Sequence, residues 1–507
     1  MVTLRRDHRT PVLVALMLTM ALIAMDSTII ATAIPQVVGD LGGFSQVGWV
    51  FSIYLLAQTV TLPVYGKLAD LFGRKPILLV GVVIFLIGSL LSAFSWNILS
   101  LIIFRGLQGL GAGSIGATVN TVAGDLYDVS ERGKIQGWLS SVWGISAVLA
   151  PAIGGLFAEY LSWRGIFLVN LPVGALALIL IARGLHENVE RRRHRIDYAG
   201  ATLLLLAAGL LIFGLLQGGT AWAWLSVPSV LVFGAGVIAC VLAVLVERRA
   251  AEPVMPVWLW TQRVTAGSYA ASLTAGAMVI GLSVFLPTWA QSVLELRPVA
   301  AGFVLAAMSM TWPLAAGFSS RLYLRVGFRD TALIGAGLVV ASSIVFSLLS
   351  VDSPVWAPVL GSALMGAGMG LITSPLVVGL QSTVGWNQRG MITGGAMFSR
   401  SLGQSLGAAV FGAVTNAVLS SRLETAPAEY RDRLPRQVDD ISKTLEGGHA
   451  DPAVATYLRG LLHASTHAVF LGLLIAGLVT LLLIALVVPR RFPIIEHETT
   501  PEEGSRS

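Results

Sequence analysis

Long apolar runs follow one another along almost the whole chain, and they constrain its fold more than any other feature. A membrane-spanning helix needs about 20 mostly apolar residues. Only 12% of the 507 residues are charged, whereas soluble domains carry about 25%. We therefore predict an all-α polytopic membrane protein with fourteen transmembrane helices. The runs lie at 12–35, 47–66, 77–96, 98–123, 136–159, 165–183, 198–217, 226–246, 266–290, 299–320, 331–350, 356–381, 393–421 and 466–488.

Several simple observations exclude other classes of protein. The first run is too long for the apolar core of a signal peptide and lacks an Ala-x-Ala site, so we expect it to remain in the protein. Cys240 is the only cysteine, which excludes an intrachain disulfide or a cysteine-based metal site. The net charge of +6 resides mostly in short connections between the runs. We therefore expect a lipid bilayer around the chain and no nucleic-acid partner.

Lys and Arg concentrate in alternate connections, and this asymmetry predicts the orientation in the membrane. Connections such as 67–75 and 191–195 are basic, whereas 218–225 and 351–355 contain neither Lys nor Arg. Both termini are therefore expected on the cytoplasmic side of the plasma membrane. The connection at 422–465 is an exception that places basic residues outside, but acidic residues balance them.

The runs divide into two halves of six, separated by a basic loop and one extra pair. SRLYLRVGFR at 320–329 is weakly similar to GKLADLFGRK at 66–75, and parallel repeats around a central cavity are typical of transporters. Leu324 stands where the first copy has Asp70, so the task of that acid is not duplicated. We predict a six-helix bundle at 1–183, a basic cytoplasmic loop at 184–197, two extra helices at 198–246, a second six-helix bundle at 247–488 with a polar extracytoplasmic loop at 422–465, and a cytoplasmic tail at 489–507.

Motifs of soluble enzymes occur only in the wrong context. GAGSIG at 111–116 lies inside an apolar run without a preceding strand, and the sequence has no GxxxxGK[ST] loop for direct use of ATP. His463 and His467 have metal-ligand spacing but no evident third ligand. We predict neither an enzyme nor a metal or other cofactor, and a membrane-embedded enzyme or sensor is the alternative.

The connection between the second and third runs combines glycine with closely spaced charge. GKLADLFGRKPILLVG at 66–81 has two glycines that permit a tight turn, with an acid and several bases within a few residues. Solvated charges that anchor the loop at the membrane face are the simple interpretation. The candidate gate residues of this stretch are Gly66, Asp70, Gly73, Arg74 and Lys75.

This stretch resembles the signature loop of the major facilitator superfamily. In that family the acid and the bases form a cytoplasmic latch that holds the two halves together in the outward-facing state. The resemblance implies that Asp70 caps a helix end or forms an ion pair across the interface. It also implies that Arg74 meets an acid such as Asp125.

Three further stretches resemble motifs of the fourteen-helix drug/proton antiporter family. FRGLQGLGAG at 104–113 is similar to the RxxQG motif of proton-coupled members and places Arg105 inside a run, although an arginine that snorkels to the membrane face is the alternative. WRGIFLVNLPVG at 163–174 resembles the start of the sixth helix. WGISAVLAPAIGG at 143–155 resembles the antiporter motif, whose bending and close-packing residues are here Gly144, Pro151, Gly154 and Gly155.

Asp26 is the carboxylate that lies deepest in any run. A charge there costs roughly 2.5 to 3.5 kcal/mol on insertion scales, so we expect it to have a function. MDSTIIATAIP at 25–35 is similar to the first-helix motif of the same family. We predict that Asp26 exchanges a proton when Arg105 or a cationic substrate approaches it in one conformation only. A structural hydrogen bond to Thr28 is the alternative.

The predicted function is export of small hydrophobic or amphipathic compounds, such as drugs or toxic metabolites, driven by the proton gradient. A lipid or endogenous-metabolite exporter, with an extracytoplasmic partner docked on 422–465, is the alternative. Polar, aromatic and flexible side chains would line a cavity for such ligands. The candidates are Thr28, Gln58, Asn120, Trp289, Gln291, Met310, Trp312 and Gln404.

Overall fold

The computed structural model describes residues 6–42, 46–187, 197–219, 221–427 and 452–493, and nearly all of them are α-helical. A 3₁₀ turn at Trp386–Gln388 precedes the helix that begins at Arg389. The helices are α1 Arg6–Leu41, α2 Val47–Phe72, α3 Arg74–Ala93, α4 Ile98–Leu126, α5 Val129–Tyr160, α6 Gly165–Leu168, α7 Asn170–Gly184, α8 Tyr198–Gln217, α9 Val227–Glu247, α10 Trp258–Thr261, α11 Arg263–Ser292, α12 Pro298–Val326, α13 Phe328–Ser347, α14 Trp356–Ser382, α15 Arg389–Glu424 and α16 Pro452–Leu486.

The all-α polytopic prediction is confirmed. The described residues contain 13 helical spans long and apolar enough to cross a membrane, with α6 and α7 counted as one span. The run at 136–159 forms α5, which is not counted among them because the side chains of several of its residues lie outside the described part of the structure. This helix is nevertheless 32 residues long and packs between α1 and α12, inside the bundle.

The predicted loop at 422–465 extends too far toward the C-terminus. The last helix, α16, begins at Pro452, because apolar residues such as Leu458 recur at helical spacing and pack against Leu419 of α15. The residues at 428–451 lie outside the described part of the chain. Most of the predicted basic loop and tail also lies outside it.

Separate groups of buried apolar side chains organise the helices of each half. Residues of α1 to α7, such as Leu16, Phe85 and Phe167, pack in the first half, and residues of α11 to α16, such as Met365 and Phe470, pack in the second. The extra helices α8 and α9 pack against each other, and α8 also contacts α2 and α15. The extra pair therefore lies beside a junction between the halves.

The halves meet along two seams, α2 with α15 and α5 with α12. We call the end of the bundle that contains the α2–α3 connection the latch end. Near it, a Cβ atom on Gly137 of α5 would lie 2.8 Å from the Cα of Gly317 in α12, and one on Gly394 of α15 would lie 2.7 Å from the carbonyl oxygen of Leu62 in α2. Only glycine permits such close backbone contact.

At the opposite end, which we call the open end, the same helices have separated. Eighteen residues make five helical turns, so Gly155 points in the same direction as Gly137, about 27 Å further along α5. Gly412 has the same relation to Gly394 on α15. A Cβ atom on Gly155 or Gly412 would meet no atom within 4 Å. Both seams are therefore closed at the latch end and open at the other.

Matched glycine substitutions test this divergence. Valine at Gly394 would displace the carbonyl oxygen of Leu62 and open the latch end, whereas Gly412→Val meets no neighbour. The reporter is Ser382→Cys, a buried latch-end position, in a Cys240→Ala background. Gly394→Val should increase labelling of the reporter by a membrane-impermeant maleimide several-fold, and Gly412→Val should not. Equal labelling in two folded variants would contradict the divergence of the seam.

Candidate functional site

The α2–α3 connection carries charge into the junction between the halves. Gly73 has a φ of 96° and ends α2, so that α3 begins at once with Arg74. The carboxylate of Asp70 accepts hydrogen bonds from the backbone N–H groups of Gly390 at 2.8 Å and Met391 at 2.7 Å. These groups belong to the first turn of α15, where free N–H groups attract an anion. Asp70 thus caps a helix of the other half.

Arg74 is fully buried and contacts both halves. Its guanidinium donates to Asp70 at 2.8 Å and to Asp125 at 3.0 Å, and it lies 3.6 Å from the ring centroid of Trp386. Arg389 of the second half donates to the other oxygen of Asp125 at 2.9 Å. One carboxylate is therefore shared by an arginine from each half. We call these five residues the ionic latch.

The structure brings together most of the residues that the loop resemblance implied, with two differences. Lys75 makes no ion pair in the ionic latch. Its ammonium donates to the carbonyl of Ala182, and its backbone N–H donates to Glu187 at 2.9 Å. It therefore ties α3 to the end of α7 within the first half. Gly66 carries no charge, but it allows α2 to approach α15 closely, because its Cα faces Gly390 across the seam.

Asn120 is not on a cavity wall as predicted. It is buried in the closed layer next to the ionic latch, because α4 and α14 approach each other there. Its backbone oxygen accepts a hydrogen bond from the amide of Gln381 at 3.1 Å, and its side chain accepts one from Gln136 at 3.2 Å. This residue helps to close the latch end.

Asp26 and Arg105 form a buried ion pair within the first half. An Nη1–Oδ2 distance of 2.5 Å joins them, and each side chain is 1% exposed. Gln108 donates to the second oxygen of Asp26 at 2.8 Å and accepts from Arg105 at 2.7 Å. The guanidinium also lies 4.2 Å from the ring centroid of Tyr54 on α2. Arg105 therefore does not snorkel to the membrane face.

The interruption between α6 and α7 supplies another polar group to this pair. Asn170 begins α7, and its amide donates to Ser89 at 3.0 Å and to Asp26 at 3.4 Å. Ser89 in turn donates to the backbone oxygen of Phe167. The alternative partner for Asp26, Thr28, instead donates to carbonyl oxygens of its own helix.

The predicted antiporter motif lies on the second seam. A Cβ atom on Gly144 would lie 2.8 Å from the backbone oxygen of Ser309 in α12. Gly154 is buried, Gly155 meets no atom within 4 Å, and the side chain of Pro151 is outside the described part of the structure. The motif therefore spans the region in which α5 and α12 separate.

Three predicted cavity residues lie elsewhere. Trp289 is fully buried in the core of the second half, where its indole donates to His463 at 3.1 Å. Met310 is 69% exposed and shares one face of α12 with the exposed Leu314, so it points away from the neighbouring helices. Gln291 is exposed at the end of α11. Thr28, Gln58, Trp312 and Gln404 remain partly exposed within their helices and are still candidates.

The chain matches a known family over most of its length. Residues 16–408 match the family model described as "Major Facilitator Superfamily". The chain belongs to this superfamily. "Multidrug transporter protein MdtP" of Bacillus subtilis (strain 168) is 31% identical over 443 residues, which cover 87% of this chain and 82% of that protein. "Multidrug resistance protein 3" of the same strain is 34% identical over 419 residues, with coverages of 82% and 81%.

A eukaryotic relative and a solved structure extend the similarity. The "MFS-type efflux pump LUC4" of Fusarium sp is 29% identical over 459 residues, which cover 88% of this chain and 79% of that protein. The crystal structure of the human organic anion transporter MFSD10 (TETRAN) matches with a TM-score of 0.61, covering 95% of this chain and all of the other. At 14% identity that likeness concerns the fold alone. The predicted major facilitator fold is confirmed.

Removing the shared carboxylate tests the ionic latch. Asp125→Asn leaves Arg74 and Arg389 buried without this counter-ion, and breaking a buried pair costs about 3 to 5 kcal/mol. The purified variant in detergent should unfold at a clearly lower temperature. Asp128→Asn removes an exposed charge three residues later and should leave that temperature nearly unchanged. Equal changes in both variants would mean that net charge, and not the shared contact, sets stability.

Proposed function

We propose that this protein exports hydrophobic or amphipathic compounds across the cytoplasmic membrane in exchange for protons, by alternating access. The observation that carries the proposal is a pair of seams closed at one end by the ionic latch and separated at the other. Such rocking of two halves about a central site is the usual mechanism of transporters of this architecture. Relatives named as multidrug transporters and efflux pumps support the class of substrate.

The latch end is cytoplasmic in this proposal. The helix ends and turns at 67–75, 132–134 and 325–329 lie at the latch end and are basic, whereas 218–225 and 351–355 lie at the open end and lack Lys and Arg. Positive charge of short connections favours the cytoplasmic side. The structure then corresponds to an outward-facing state, from which the substrate leaves through the open end.

Asp26 is the proposed proton-binding group. In the present conformation Arg105, Gln108 and Asn170 supply donors to its carboxylate, an arrangement that suits the ionised form. A conformation that moves Arg105 away would leave a buried carboxylate without a counter-charge, and such a group takes up a proton instead of remaining charged. The two conformations then differ in bound protons, as proton coupling requires.

Helix α2 connects this pair with the ionic latch. The backbone oxygen of Val50 accepts a hydrogen bond from Arg105 at 3.3 Å, and Tyr54 lies beneath the guanidinium. Asp70 follows sixteen residues after Tyr54 on the same helix, a distance of about 24 Å. A rearrangement at the ion pair can therefore reach the latch through the movement of one continuous helix, which contains Pro63 between the two sites.

Transport by reconstituted protein tests the coupling role. In proteoliposomes with a pH gradient that is acidic at the open end, the parent protein should move the anionic dye 1-anilinonaphthalene-8-sulfonate or the uncharged dye Nile red against its concentration gradient. Asp26→Asn should abolish gradient-driven transport while retaining binding of the dye, because the amide cannot exchange a proton. Asp352→Asn removes an exposed charge at the open end and should transport normally.

Two results would contradict the proposal separately. Unchanged gradient-driven transport by Asp26→Asn would remove this residue from the coupling mechanism. If the parent protein transported neither dye and the pH gradient drove no exchange of dye for protons, the proposal of proton-coupled export itself would be wrong.

A further inference from the structure

Another arginine lies deep in the second half, outside both the ionic latch and the buried pair. Arg400 is eleven residues after the start of α15, which places it about 16 Å along the helix from the latch end. Its guanidinium lies 5.7 Å from the ring centroid of Trp312 on α12. Unlike Arg74 and Arg105, it has no ion pair or hydrogen bond with any described residue.

Arg400 lies on the face of α15 that points to the centre of the molecule. Thr393 is seven residues earlier, two turns back on nearly the same face. It accepts a hydrogen bond from Gln381 at 3.0 Å, and Gln381 also donates to the backbone of Asn120 in the first half. These residues form the closed layer between the halves. Arg400 is therefore about 10 Å beyond that layer, toward the open end.

Two close helix contacts flank this face of α15, and the contact with Trp312 of α12 places the arginine on the inner side. Gly394 packs against Leu62 of α2 on one side, and Gly403 packs against Leu273 of α11 on the other. By helical geometry Arg400 points between these two neighbours. Both Arg400 and Trp312 are only partly buried, so they border the space that the separated seams leave open.

The charged side chain that borders this open space is positive. A charged side chain deep in a span is costly, and stacking on Trp312 offsets that cost only in part. The carboxylate of Asp26, which lies further toward the open end in the first half, is 1% exposed and already bound to Arg105. Among the described residues, the charge that borders the open space in the middle of the spans is thus the guanidinium of Arg400.

We propose that Arg400 and Trp312 form an anion subsite of the central cavity, which selects amphipathic compounds with a carboxylate or another single negative charge. The anionic group would receive charge-assisted hydrogen bonds from the guanidinium, and the apolar body would lie against the tryptophan ring and the aliphatic walls. Gln404, one turn after Arg400, is placed to donate a further hydrogen bond. This inference rests on the proposed export function and names its substrate class.

Equilibrium binding with a matched pair of fluorescent compounds tests the subsite. The probes are a dansyl amide with an alkyl carboxylate tail and the methyl ester of the same compound, which differ in charge but hardly in size. The purified full-length protein in detergent should bind the carboxylate more tightly than the ester. Arg400→Gln should weaken binding of the carboxylate about tenfold or more and change binding of the ester by less than about threefold.

Two control variants separate the specific contact from general effects of charge and folding. Arg400→Lys keeps the charge but not the forked geometry and should retain part of the preference for the carboxylate. Arg248→Gln removes an exposed arginine on the latch side and should behave like the parent. Retained binding of the ester shows that each variant is folded. The parent protein provides a second test if Arg400→Gln does not fold.

Several outcomes would overturn the inference. The parent protein could bind the ester more tightly than the carboxylate. Alternatively, Arg400→Gln could weaken binding of both probes equally, or weaken binding of neither. Because binding is measured without a pH gradient, it does not depend on Asp26. A protein that binds the carboxylate through Arg400 but does not transport it would contradict the proposed function and leave the subsite intact.

Discussion

The ionic latch is the interaction on which the arrangement of the two halves depends. Its carboxylates, Asp70 and Asp125, are buried, and each takes some of its donors from the second half. A buried charge is tolerated only when its partners are complete, and a half-broken pair costs several kcal/mol. The network therefore favours fully closed or fully hydrated and open arrangements over intermediate ones. This property makes the junction a two-state element.

The glycine-lined seams give that element its range of movement. Backbone atoms of α2 and α15, and of α5 and α12, meet directly near the latch, while the same pairs diverge toward the open end. Contact and divergence occur on one face of each helix, so each seam can close at either end without repacking the core of its own half. Gly144, near the middle of α5, still contacts α12 and lies near the point about which the seam would pivot.

Sequence patterns predicted features that depend on composition and local spacing. The apolar runs located the helices, and the loop motif anticipated the contacts of Asp70 and Arg74. The wrong predictions concerned the direction in which a side chain points from its helix. Trp289 and Met310 have side chains suited to a cavity, but the neighbours that bury one and expose the other come from distant parts of the chain.

Two missed residues had a usable signal. Gln108 lies one turn after Arg105, so the same face of α4 had to carry both. Arg400 is a charge inside an apolar run, the feature that singled out Asp26, but glycines and serines around it made the run look like a packing surface. Trp386 and Glu187, by contrast, lie in connections whose path the sequence does not specify. Their contacts with Arg74 became visible only in three dimensions.

The two halves have diverged in charge, and this has a consequence for energetics. The first half contains a deep acid neutralised by its own arginine, whereas the second contains a deep arginine stacked on Trp312. On the proposed mechanism, exchange of one exported monoanion for one imported proton moves two elementary charges through a membrane that is negative inside. Each charge contributes about 2.3 kcal/mol per 100 mV, so a potential of about 100 mV would add about 4.6 kcal/mol to the pH gradient. Exchange of a monovalent cation for one proton would gain nothing from the potential, so an anion subsite would let both components of the proton-motive force drive export.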